Sequence, residues 1–155
     1  MKQFKKGFTL IELLVVITII AVFAGIVYVG INPQKRISDA QNGRRTTDID
    51  QILSAVHQYI VDNSGTIPLA TDGVERQLGT AATGCAIATG GCGVTTAACL
   101  DLQTTLANYL RVIPADPLPT LSLGGRTGYT ISAGANGIIT VRACGATGSN
   151  IVTSQ

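Results

Sequence analysis

From Phe8 to Ile31 the chain carries one charged side chain, Glu12, in an otherwise apolar run rich in Leu, Ile and Val. Leu13 to Ile31 has no charge at all. As a helix that stretch spans about 30 Å, the thickness of the hydrocarbon core of a bilayer. Gly25 and Gly30 are tolerated in membrane helices, and Tyr28 lies near the outer end, where interfacial aromatics collect. Asn32-Pro33 marks the change to polar sequence and predicts a kink, because proline has no backbone donor to give the helix. Ile37, Ala40, Ile49, Ile52, Leu53, Val56, Tyr59 and Ile60 follow, at helical spacing from Ile49 onward. That spacing predicts an amphipathic helix over 32–63 with one buried face. Gly43 and Thr46-Thr47 predict a loose middle, and Asn63-Ser64-Gly65, with Pro68 beyond, predicts the end.

The pattern then loses its period. Residues 66–98 are rich in Gly, Ala and Thr and carry Cys85 and Cys92; so little apolar area needs covalent help to hold a fold. Leu102, Leu106, Tyr109 and Leu110 predict a short helix over Leu100–Arg111, and Pro114, Pro117 and Pro119 an extended turn region. Thr127–Ala133 and Ile138–Cys144 read as strands joined through Asn136-Gly137, a strong hairpin signal. Tyr129, Ile131, Ile139 and Val141 would cover the amphipathic helix. The expectation is an α+β protein: a long N-terminal helix, then a small head (64–155) with a short helix and an antiparallel hairpin or small sheet.

Charge narrows the function classes. Without Lys2, Lys5 and Lys6 the chain has 8 basic and 9 acidic residues, so no clustered basic face argues for nucleic acid. Arg44-Arg45 reads as a solvated pair. The four cysteines, Cys85, Cys92, Cys99 and Cys144, lie only in the polar half and predict two disulfides in an oxidising compartment. Three pairings are open; Cys85–Cys92 and Cys99–Cys144 are favoured. Their spacing is too wide for a zinc site, and the one histidine, His57, reads as a helix-flank residue. No metal, cofactor or catalytic group is expected.

Glu12 is the residue that needs explaining. A carboxylate in a membrane-length helix costs about 2.5–3.5 kcal/mol on insertion scales. A cleaved signal peptide with its site at Val22-Phe23-Ala24 leaves the apolar run continuing past the cut, a permanent signal anchor accounts for its length, and both leave Glu12 without a role. The whole segment Lys5-Lys6-Gly7-Phe8-Thr9-Leu10-Ile11-Glu12-Leu13-Leu14-Val15-Val16 closely resembles the type IV prepilin signature: basic leader, glycine, aromatic residue, and glutamate four positions after it. The resemblance implies that a prepilin peptidase cleaves the 1–7 leader between Gly7 and Phe8 and methylates the new Phe8 amine. It also implies that residues 8–31 anchor the subunit in the cytoplasmic membrane and later form the core of a filament. An assembly platform and a motor ATPase would be the machinery.

In that setting the Phe8 ammonium and Glu12 of a neighbouring copy would pair in apolar surroundings, where the attraction is far stronger than in water. Within one copy the two lie one helical turn apart. The run Tyr109-Leu110-Arg111-Val112-Ile113-Pro114-Ala115-Asp116-Pro117 with Tyr129 loosely resembles pilin heads and the major pseudopilin of type II secretion. In the pseudopilin this region continues into a calcium site. Here Asp116 has no following carboxylate, and calcium wants six to eight oxygens. The expectation is a structural subunit of an extracellular pilus; the alternatives are a periplasmic pseudopilin of a type II secretion or DNA-uptake machine, or a minor tip or adhesin pilin.

Overall fold

The computed structural model describes residues 7–155, so Lys2, Lys5 and Lys6 of the leader lie outside the described residues. The chain divides into two compact units, 1–38 and 39–155, and the division falls inside the second helix. Most of the amphipathic segment therefore belongs to the same unit as the head.

Helix α1 runs from Leu10 to Ile31 and has no buried residue. It ends at Asn32, whose backbone is left-handed (φ 43°), and helix α2 (Pro33–Asp62) starts at the next residue. Proline suits a first helical position, where its missing N–H would have had no partner. The Asn32 side chain accepts from the Lys35 N–H (3.4 Å), so one residue ends the first helix and caps the second. The long helical run from Leu10 to Asp62 is thus interrupted at one residue, Asn32, beside the proline.

The predicted looseness around Gly43 and Thr46-Thr47 is absent: α2 is unbroken to Asp62. Thr46 and Thr47 donate to the carbonyls of Asn42 and Gly43, one turn back, which satisfies their hydroxyls without breaking the ladder. The helix closes through left-handed Ser64 (φ 56°) and Gly65 (φ 86°), with the Gly65 N–H on the Ile60 carbonyl (2.8 Å).

In the second unit, strands β1 (Arg76–Gly79), β2 (Arg126–Ala133), β3 (Ile139–Ala143) and β4 (Ile151–Ser154) form an antiparallel sheet in sequence order. Pro119–Ser122 makes a single helical turn, α3, ahead of β2. Tyr129 pairs with Ala143, Ile131 with Val141 and Ala133 with Ile139. These residues of one face join Ile49, Ile52, Leu53 and Val56 of α2 in the core. Thr130 is buried as well, on the opposite face. It is covered there by the cysteine-rich segment, whose Cys92 sulfur is 3.5 Å from its hydroxyl.

Leu100–Arg111 does not form the continuous helix predicted. It is a run of turns with isolated helical bonds, Leu106 to Leu102 (2.9 Å) and Leu110 to Leu106 (2.8 Å). The Gln103 side chain bridges its ends, donating to the Arg111 carbonyl and accepting from the Ile113 N–H, and so folds the segment back on itself. Leu102 and Leu106 are buried all the same.

Candidate functional site

At the start of α1, Thr9 is the N-cap in extended conformation (φ −83°, ψ 149°). Its N–H donates to Glu12 Oε2 (2.9 Å), its hydroxyl donates to the same oxygen (2.8 Å), and the Glu12 N–H donates back to the hydroxyl (3.3 Å). This is a reciprocal capping box. The carboxylate is thus folded back toward Phe8, at the helix end where a negative charge is favoured. Phe8 is 85% exposed. Among the described residues, a Cβ added at Gly7 would meet nothing within 4 Å, so they set no steric requirement for glycine there. The rest of α1 presents Leu, Ile, Val and Phe on all sides, each at least about half exposed.

A second constellation lies inside the head. Arg45 and Asp116 are fully buried and form a two-pronged ion pair, Nε to Oδ2 at 2.7 Å and Nη2 to Oδ1 at 2.8 Å. The remaining polar atoms are also used: Arg45 Nη1 donates to Asn42 Oδ1 (2.9 Å), and the Leu118 N–H donates to Asp116 Oδ1 (2.8 Å). Gly145 lies directly over the pair. A Cβ there would come within 2.5 Å of Asp116 and 2.7 Å of Arg45, so only glycine fits. Arg45 is therefore not half of a solvated pair with Arg44. Of the two, only Arg44 reaches solvent, leaning on Asp48 (3.6 Å). Asp48 also accepts from the buried Tyr129 hydroxyl (2.6 Å). Burial, and then this hydrogen bond, push the Tyr129 phenol well above the ordinary tyrosine range.

Both disulfides differ from the pairing favoured on sequence. Cys85 bonds to Cys99 and Cys92 to Cys144, whereas Cys85–Cys92 and Cys99–Cys144 had been expected. The reason is a small hairpin within the segment. Ile87 and Val94 pair antiparallel, and the Cys85 N–H bonds to the Ala97 carbonyl (2.9 Å). Cys85 and Cys99 thus lie at the open end and Cys92 at the tip. Gly90 (φ 58°) lets the tip approach the Cys144 carbonyl, which also accepts from the Thr89 hydroxyl (3.0 Å).

The predicted site residues therefore fall into separate places. Gly7, Phe8 and Glu12 stand together at the start of α1; Pro33 opens α2; the cysteines pin the head. Two contributors were missed. Thr9 could have been found, because Thr9-Leu10-Ile11-Glu12 is the capping-box pattern. The Arg45–Asp116 pair could not, because 71 positions separate its partners and nothing local links them.

Residues 2–28 match the family model of the prokaryotic N-terminal methylation motif, the signature of type IV pilins and pseudopilins. The match covers the leader and most of α1. No curated protein and no solved structure matches the chain.

Proposed function

We propose that this chain is a structural subunit of a type IV pilus-like filament. It is processed between Gly7 and Phe8, methylated at the new Phe8 amine, and assembled by packing α1 helices of successive copies. One observation carries the reading: an almost wholly apolar helix without a buried residue, whose lone carboxylate is folded back toward the terminus that cleavage would free. Thr9 supplies neutral hydrogen bonds to Glu12 but no positive charge, so a cation is still wanted in apolar surroundings. The Phe8 ammonium of an adjoining copy is that cation.

The absence, among the described residues, of any steric need for glycine at position 7 supports a requirement imposed from outside the fold, by a peptidase that needs an unhindered backbone. Before assembly α1 holds the subunit in the cytoplasmic membrane, with the platform and motor ATPase as later partners. The commitment of Asp116 to Arg45 argues against a calcium site at that position and so favours the pilus over a secretion pseudopilin. The deciding experiment is the mass and N-terminal sequence of filaments sheared from cells. The expected product starts at methylated Phe8; a start at Met1 or Gly25 overturns the proposal.

A further inference from the structure

Four cysteines can be joined in three ways, and the native one, Cys85–Cys99 with Cys92–Cys144, is the only one in which no two cysteines adjacent in sequence are bonded. Kinetics favours the others. Cys85, Cys92 and Cys99 are spaced by seven positions each. Closure in a flexible chain weakens as about the 3/2 power of loop length, so Cys85–Cys92 or Cys92–Cys99 forms about threefold faster than Cys85–Cys99. Either forms about twentyfold faster than Cys92–Cys144, whose partners are 52 positions apart.

What selects the Cys92–Cys144 pair arrives late. Cys92 is seated against Thr130 of β2, Gly90 and Thr89 against the Cys144 carbonyl, and the Cys144 N–H on the Gly128 carbonyl (3.0 Å). All of these contacts need a finished sheet, so the pairs that form first are not the pairs that the fold prefers.

We propose that the head reaches its native pairing by disulfide exchange, and that the chain is a client of a thiol–disulfide isomerase, a protein with a reactive low-pKa cysteine. The isomerase thiolate attacks Cys92 of a Cys85–Cys92 bond, forms a mixed disulfide there and releases the Cys85 thiolate. Cys85 attacks Cys99 of Cys99–Cys144 and releases the Cys144 thiolate. Cys144 attacks the mixed disulfide at Cys92 and returns the isomerase thiolate. Each step breaks one S–S bond and makes one, with no net oxidation.

The test dilutes the reduced, unfolded full chain into detergent micelles with diamide as oxidant, with and without reduced glutathione as the exchanging thiol. Thermolysin, cutting before Ile87 and Val94, separates Cys85, Cys92 and Cys99 for mass mapping. Without glutathione, Cys85–Cys92 and Cys92–Cys99 should each outnumber Cys85–Cys99 by about threefold; with it, the native pairs should replace them. The C92S/C144S and C85S/C99S variants, each left with one native pair, should form that pair equally well with or without glutathione. Direct arrival at the native pairs without glutathione overturns the proposal, as do mispaired chains that glutathione leaves unchanged. The readout does not depend on whether the chain polymerises.

Discussion

No residue of α1 is buried although the helix is almost wholly apolar, whereas in the unit 39–155 Ile52, Val56, Leu78, Leu106, Ile131 and Val141 are completely covered. The first region leaves its apolar surface uncovered by its own chain, and on the proposed reading lipid and then further copies cover it. The second covers its own, but its Gly/Ala/Thr-rich stretch supplies so little apolar area that two disulfides and a buried ion pair hold what packing cannot. A variant in one region should therefore leave the other untouched, and the predictions are ordered by how strongly they separate the two.

Glu12→Gln comes first. Sheared-filament yield should fall to background, while the thermal midpoint of the head stays at the wild-type value; normal filaments would refute the charge pairing. In the head, removing one member of the buried pair strands the other. Arg45→Met or Asp116→Asn should each cost about 3–5 kcal/mol in denaturant unfolding, and Arg45→Met/Asp116→Leu should cost less than either. The disulfides come next and differ from each other. On chain entropy, losing Cys92–Cys144 (separation 52) should cost about 4 kcal/mol, and losing Cys85–Cys99 (separation 14) about 3 kcal/mol. Stability of the serine double variants measures this directly.

A smaller effect is a pH dependence. The Tyr129 phenol titrates above its unfolded value, so the folded state holds a proton that the unfolded state loses first. Its contribution is complete below about pH 10 and declines as pH rises beyond that. Tyr129→Phe should remove that part of the alkaline slope in a pH series of unfolding midpoints. Least of all, Asp72→Ala should leave the midpoint unchanged, because the Arg76–Asp72 pair is open to solvent.

The α1 helix and the two strands around Asn136-Gly137 were legible because their signals are local: a long uncharged run, alternation, and a turn dipeptide. Strands β1 and β4 were not, since four residues such as Arg76–Gly79 or Ile151–Ser154 carry too short a period to stand out from a loop. Arg45 looked like a surface residue because its neighbour Arg44 is one. The helix turns by about 100° between them, which is enough to put one in water and the other in the core. The cysteine pairing failed for a different reason. Sequence distance favours neighbours, while the hairpin that brings Cys85 to Cys99 shows itself only through the weak pair Ile87 and Val94.

The crossing of the two disulfides also bears on mechanical load. If a head is pulled along its chain, the shortest covalent route runs from Cys85 to Cys92 and then straight across to Cys144. The 52-position stretch bypassed in this way contains β2 and β3, and would otherwise pay out roughly 170–190 Å of slack. Force can peel away the C-terminal strand and the segment around β1, but it cannot unreel the middle of the sheet until a sulfur–sulfur bond is cut.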